Sequence, residues 1–329
     1  MPSTETLLLT RSDVADLLDL DTCIAAVEEA FRLHGTGDAV TGVLGIHVPG
    51  GGFHIKAGTL RLRRPYFAAK TNANFPNNPA VHGLPTIQGV IVLADAEVGT
   101  PLALLDSMEI TTLRTGAATA VAAKYLARED ARTAAIIGCG NQGWVQLRAL
   151  RRVRPLTAAR VYDRDRGRAE ELARTLAPEL ELTIDVANDP AGAARNSDIV
   201  VTCTSARQPI LGLADVSPGT FVAAVGADNP EKQEIAPALL AASRVVVDVL
   251  EQAATLGDLH HAIAAGVMTS SDVTELGQIV AGRAALSRGG DDVTVFDSTG
   301  MALQDVAAAA AVYERAQAAG RGIPVHLAG

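Results

Sequence analysis

Residues 133–143 read TAAIIGCGNQG. Ala134–Ile137 is an apolar run suited to a buried strand, and Gly138, Gly140 and Gly143 follow it in the spacing G-x-G-x-x-G. From Val145 the residues suit a helix, and the next apolar strand, ARVYD at 159–163, ends on Asp163. A strand, a glycine turn, a helix and a second strand closed by an acid make up the fingerprint of a dinucleotide-binding βαβ unit. Gly138 permits the tight turn, Gly140 lets the backbone approach a pyrophosphate, and Gly143 lets helix and strand pack closely. The helix start offers unpaired N–H groups and a positive dipole end to the phosphates. Asp163 is suited to the ribose hydroxyls and repels a 2′-phosphate, so NAD is expected before NADP. Arg164, Arg166 and Arg168 follow directly. As a solvated helix start they leave that choice unchanged; as phosphate ligands they favour NADP.

Outward toward the C-terminus the alternation continues. Apolar stretches at 197–204 (SDIVVTCT), 220–228 (TFVAAVGAD), 243–248 (SRVVVD) and 293–298 (VTVFDS) read as strands, with helical stretches at 142–153 and 167–176. Strands alternating with helices imply a parallel sheet. A last helix spans 301–320 and ends at Gly320. Toward the N-terminus the pattern differs. Residues 10–34 read as two short helices, the first capped by Ser12 with Asp13 in its opening turn. Residues 43–70 alternate short β-rich pieces with glycine turns, 86–106 read as a hairpin, and 108–127 as an alanine-rich helix. The expected architecture is α/β: a Rossmann dinucleotide-binding domain over 126–300, and an α+β substrate-binding domain from 1–125 and 301–329.

The chain has 329 residues, 48% hydrophobic and 20% charged, which is enough apolar material for a sizeable core. Its net charge is −9 and its aromatic content 3%. That balance argues against nucleic acid or an anionic membrane as a partner. Cys23, Cys139 and Cys203 stand far apart. Their odd number and spacing fit a reducing cytoplasm better than a disulfide scaffold or zinc site. The opening residues lack the basic and apolar regions of a signal peptide, and no run of about 18 apolar residues occurs. The seven histidines show no metal-ligand spacing, and His260 and His261 are expected to point to different sides of a helix. Arg148, Arg151, Arg152 and Arg154 are expected to complement the end of their own helix.

A substrate needs groups from the other domain. Lys56, Lys70 and Arg114 are cations among small or apolar neighbours. Together they suggest a carboxylate site, with Arg114 able to form a two-pronged contact. His54 shares the face of Lys56 if both lie on a strand.

TTLRTGAATAVAAKYLA, the IIGCGNQG turn, VYDRD, AVGADNPEKQE and VFDSTGMALQD follow one another along the chain. In that order they resemble the ornithine cyclodeaminase/mu-crystallin family over residues from about 10 to 320. The family includes ornithine and lysine cyclodeaminases, an archaeal-type alanine dehydrogenase and ketimine or cyclic-imine reductases. The resemblance implies an NAD(H)-dependent enzyme acting on an amino acid or its imine, working as a homodimer whose N-terminal domains share a β-barrel. It implies that Lys70 and Arg114 hold the substrate carboxylate, and that Asp228 is the catalytic carboxylate with Lys70 beside it. It implies dinucleotide contacts at Gly138, Gly140, Asn141, Gln142 and Asp163. Further contacts implied are Thr86, Arg114, Thr115, Thr202, Thr204, Ser205, Val225, Gly226 and Ser298. Cyclodeaminases carry an arginine before the strand of Lys70; here none lies between Arg32 and Arg61. Lys56 stands as the substitute charge, and ornithine fits less well. The alternatives are a cyclodeaminase that returns its hydride, and a non-catalytic NAD-binding protein of the crystallin kind.

Overall fold

Two kinds of hydrophobic pattern become two kinds of sheet in the computed structural model, which describes residues 5–286 and 289–327. The N-terminal elements are β1 (Glu5–Leu9), α1 (Arg11–Leu17), α2 (Leu20–Thr36), β2 (Ala39–Val48), β3 (Gly51–Arg61), β4 (Pro65–Asn74), α3 (Asn78–His82), β5 (Ile87–Asp95), β6 (Pro101–Asp106) and α4 (Ser107–Leu126). Next come β7 (Thr133–Ile137), α5 (Asn141–Val153), β8 (Ala158–Tyr162), α6 (Arg166–Leu180), β9 (Thr183–Val186), α7 (Pro190–Ala194), β10 (Ile199–Thr202), β11 (Arg207–Leu211) and β12 (Phe221–Ala224). The chain ends with β13 (Gln233–Ile235), α8 (Pro237–Ala241), β14 (Arg244–Val247), α9 (Leu250–Leu256), α10 (Asp258–Ala264), β15 (Val273–Glu275), α11 (Leu276–Val280), β16 (Thr294–Asp297), α12 (Ala302–Ala319) and β17 (Ile323–His326).

Described residues up to Arg114 and from Met301 onward form one unit, and Thr115 to Gly300 form another. The division falls inside α4, earlier than the change of pattern near residue 126.

In the first unit seven strands run in the order β17-β1-β6-β5-β4-β3-β2. Every pair is antiparallel except β1 with β6. The glycine-rich stretch forms three long strands rather than short pieces. On β4 burial alternates, so Tyr66, Ala68, Lys70 and Asn72 make one inward row. α12 packs along β3, β4 and β5 and against α2. It is almost wholly buried from Ala302 to Val312. Small side chains let its backbone come close: a Cβ on Gly58 of β3 would stand 2.9 Å from Leu303 Cδ2. At the far edge β2 keeps Val40, Leu44 and Ile46 exposed at 69%, 55% and 45%.

Helix α1 is capped by Thr10 and not by Ser12. Thr10 and Asp13 form a reciprocal capping box, which puts Ser12 inside the first turn.

The second unit holds an eight-stranded parallel sheet, order β15-β14-β16-β12-β10-β7-β8-β9. β10, β12 and β16 are buried at every residue, as expected of a sheet covered on both faces. From β9 through β7 to β12 the order is that of a doubly wound dinucleotide fold, with its topological switch between β7 and β10. Arg154 caps two helix ends: its Nη1 donates to the Val153 carbonyl that closes its own helix, at 2.7 Å, and it reaches a second helix as well. Its guanidinium donates to the carbonyls of Ala123, Lys124 and Ala127 at the end of α4, at 2.6, 3.0 and 3.1 Å. Arg148 pairs with Glu179 instead.

Candidate cofactor and substrate sites

The glycine turn sits at the switch point. Gly138 has φ +107°, in the left-handed region, and a Cβ there would stand 2.9 Å from the Cys203 carbonyl oxygen. Only glycine meets both conditions without strain. At Gly143 a Cβ would fall well inside van der Waals contact with the Gly138 carbonyl oxygen, so α5 rests directly on the turn. Gly140, the N-cap of α5, has no side-chain cap, and a Cβ there would meet nothing within 4 Å. That opening and the free N–H groups behind it suit a phosphate.

A cavity of about 490 Å³ opens there, lined by Gly138, Gly140, Asp163, Thr204 and Ser205, with Arg164 and Arg168 on its wall. Asp163 accepts the N–H of Cys139 at 2.8 Å and that of Asp165 at 2.8 Å. It therefore steadies the turn as well as facing the cavity. Arg166 is engaged elsewhere, with Glu170 and Asn188. Asn141 and Gln142 begin α5, where Gln142 Oε1 accepts from Gln146 at 3.3 Å. Cys139 is buried and its thiol is pushed up to about 12 by burial, which favours the protonated form.

The wall beyond β10 is organised by Glu234, which sequence reasoning missed. Its fully buried carboxylate accepts from Thr202 Oγ1 (2.8 Å), the Thr204 N–H and hydroxyl (2.6 Å each) and the Gly226 N–H (2.8 Å). Burial pushes this carboxyl up, and the four donors pull against that. The Thr202 hydroxyl, expected at the cofactor, is thus committed to Glu234. The Val225 N–H donates to the Thr202 carbonyl at 2.9 Å. Asp228 follows on an exposed loop, 47% exposed at its side chain and paired with Lys232 at 2.8 Å.

Ser298 and Thr299 bind Asp248 at 3.3 and 2.9 Å. Beside them Asp297 is buried and pushed up to about 7 by burial, and Asp258 is pushed up for the same reason. Asp258 Oδ2 and Asp297 Oδ1 make no hydrogen bond. His260 and His261 do not diverge as expected. Their rings meet edge to face at 5.1 Å, because the His261 ring turns to the Lys232 carbonyl at 2.9 Å. Among the described residues no group of three His, Cys, Asp or Glu is placed to hold a metal ion. None of the helices there is long and apolar enough to cross a membrane.

In the first unit the cations come together. Lys56 lies opposite Lys70 in the β3–β4 register. Lys70 and Arg114 are 3% and 7% exposed. Their present partner is Asp305 of α12: Lys70 Nζ lies 2.8 Å from Oδ1 and 2.7 Å from Oδ2, and Arg114 Nε 3.4 Å from Oδ1. Arg114 Nη1 also donates to Gln304 Oε1 at 2.9 Å. Arg114 Nε and Gln304 Nε2 are buried donors with no hydrogen bond. Three cations around one carboxylate leave positive charge and spare donors, the complement of an incoming carboxylate. Thr86 stands before β5, where its carbonyl accepts the Phe75 N–H at 2.8 Å. Thr115 is the next residue of α4 after Arg114.

Residues 4–320 match the model of the ornithine cyclodeaminase/mu-crystallin family. The chain belongs to that family.

Within it, the alanine dehydrogenase of Archaeoglobus fulgidus is 38% identical over 317 residues, covering 95% of each chain. An archaeal alanine dehydrogenase dimer solved with bound NAD superposes with a TM-score of 0.94 at 37% identity, covering 98% of this chain and 99% of that one. The Δ1-pyrroline-2-carboxylate reductase of Thermococcus litoralis, solved with NADH and L-proline, gives 0.93 at 33% identity, covering 97% and 100%. This member's Asp305 and Gln304 escaped the sequence reading. The one available signal was two adjacent polar residues in the otherwise apolar run MALQDVAAAAAV.

Proposed function

We propose that this protein is an NAD(H)-dependent oxidoreductase that moves a hydride to or from Cα of an α-amino acid or its imine. The observation that carries the reading is the buried cluster of Lys70, Arg114 and Asp305, with Lys56 beside it, in a chain that also holds a dinucleotide turn. The open space at Gly140, the uncapped start of α5 and Asp163 beside the cavity fit NAD.

NAD supplies a ring carbon that accepts or returns a hydride. The chain supplies charge and position. Lys70, Arg114 and Lys56 hold the substrate carboxylate. When hydride leaves Cα, the nitrogen lone pair drives it, so the amine must be neutral at that moment. Asp228 takes the proton from the substrate ammonium, and in the other direction returns it to the amine nitrogen after the hydride has arrived. Gly226, anchored on Glu234, fixes the backbone from which Asp228 projects.

The test is NADH absorbance with L-alanine, L-proline, L-aspartate, L-lysine and L-ornithine, then with pyruvate plus ammonium in reverse. Net NADH change is expected. Ammonia release without it indicates a cyclodeaminase, and silence across the panel with intact NADH binding indicates a non-catalytic member.

The cofactor choice rests on Asp163. NADH is expected to bind more tightly than NADPH, and Asp163→Ala to narrow that gap by about tenfold or more, since a hydrogen bond to a charged group contributes about 1.5–3 kcal/mol. NADH affinity itself should fall, because the Cys139 N–H loses its acceptor. Fluorescence titration decides; an unmodified protein that prefers NADPH overturns the assignment and moves attention to Arg164 and Arg168.

The same reading includes a homodimer. Among the described residues β2 is the last strand of its sheet, and it exposes Val40, Val43, Leu44, Ile46 and Val48, a surface that proteins ordinarily cover. A second copy is the occupant that the dimeric relative suggests. Leu44→Lys with Ile46→Lys is expected to shift the protein from dimer to monomer in light scattering. A parent that is already monomeric, or a dimer that survives the double change, removes β2 from the interface. The described cysteines are all free, which supports the cytoplasm as the compartment.

A further inference from the structure

Resting on that reading of the substrate site, one more residue can be given a task. α12 brings Asp305 between two cations supplied by different elements. Lys70 arrives on the inward row of β4, and Arg114 from α4. The carboxylate is 1% exposed and lies within 2.8 Å of the ammonium and 3.4 Å of the guanidinium. Gln304, one residue earlier, takes the other arm of Arg114. Neither cation has room to swing: both are buried, and each has its direction set from α12.

We infer that Asp305 is the positioning residue of the substrate site, bridging Lys70 and Arg114 so that both cations point at one substrate carboxylate.

The electrostatics support this. Lys70 is pushed down to about 7, chiefly by burial, with Arg114 and Lys56 acting in the same direction and Asp305 against them. Burial pushes Asp305 up, but Lys70 and Arg114 together outweigh it and hold the carboxyl below its ordinary value. The charged groups acting on Lys70 are Lys56 on β3, Arg114 on α4 and Asp305 on α12. His54 is two residues along β3 from Lys56. Cys23 of α2 senses Arg114 and Asp305 but stays a thiol, pushed up to about 12 by burial. Without Asp305 nothing in this set favours the charged ammonium. Lys70 would then lose its proton below neutrality, and with it much of its hold on a carboxylate.

The sign follows. A substrate carboxylate needs Lys70 charged, so KM should rise as pH climbs through the value at which Lys70 titrates. In Asp305→Asn that limb should begin at lower pH. Near neutrality KM should increase by about tenfold or more, the worth of one charged hydrogen bond, while kcat changes less. Acidification should recover part of the loss. Asp305→Glu keeps the charge and should keep the limb near the parent's.

The experiment measures kcat and KM from about pH 6 to pH 9, using the panel amino acid with the highest kcat/KM. Parent, Asp305→Asn, Asp305→Glu and Lys56→Met are compared. Lys56→Met removes a repelling cation, so it should raise KM overall yet move the limb to higher pH. That variant keeps the test decisive if Asp305→Asn does not fold. A parent active on the panel, with a limb that stays put in Asp305→Asn or in Lys56→Met, overturns the inference and leaves the oxidoreductase reading intact. A parent that turns over nothing overturns both.

Discussion

Asp228→Asn is expected to lower turnover by roughly 10²–10⁴-fold, the usual worth of a general acid or base, with NADH affinity unchanged. The substitution is nearly isosteric. Asparagine can still accept from Lys232, which now lies 2.8 Å from Asp228 Oδ1, but it cannot take a proton from an ammonium group. The loop should stay in place, because its backbone is fixed upstream by the Gly226 N–H on Glu234 and the Val225 N–H on Thr202. The side chain is half-exposed, so fold stability should change by no more than about 0.5 kcal/mol. Two measurements belong together: NADH titration by fluorescence and steady-state rate with the best panel substrate. Turnover at the parent rate would reduce Asp228 to a loop carboxylate and send the proton to another group.

Gly143→Val should have the other large effect, on cofactor binding. Its Cβ would collide with the Gly138 carbonyl oxygen and stand 3.3 Å from Ile136 Cγ2. The nearest atom is backbone, so no rotamer relieves the clash and the start of α5 must lift from the turn. Overpacking of this kind costs about 1–3 kcal/mol in stability. NADH affinity should fall further, by about 100-fold or more, because several N–H groups lose their aim on the pyrophosphate together. Gly140→Ala is the informative partner. A Cβ there meets nothing in the protein, so Tm should match the parent's while NADH affinity drops. If both variants bind NADH like the parent, the turn is an ordinary loop.

The dinucleotide half was legible because its signals are local. Ala134–Ile137 is apolar throughout, the glycine spacing encodes a backbone conformation, and Asp163 closes the next strand. α12 was legible from its length and from Gly320, which caps it at φ +61°. The polar framework was not. Glu234 stands in PEKQEIAP beside Glu231, and nothing in the string separates the buried acid from the one paired with Arg207 at the surface. Asp305 becomes a ligand of Lys70 only once a residue 235 positions away in the chain packs against it. Burial of a polar group is a property of packing, and periodicity does not carry it. β1 and β17 escaped for a simpler reason: each is short, and their pairing joins the two ends of the chain.

The open edge of β2 also bears on what stability means for this protein. With that strand covered by a second copy, as proposed, the folded state is bimolecular. Its free energy then includes a mass-action contribution that grows with protein concentration. Each tenfold dilution withdraws about 1.4 kcal/mol per dimer, and the isolated chain keeps a ten-residue edge strand with five exposed apolar side chains in water. For such a dimer a melting temperature has no single value. It belongs to a concentration, and a newly made chain is most vulnerable to sticking to the wrong neighbour before the right one arrives.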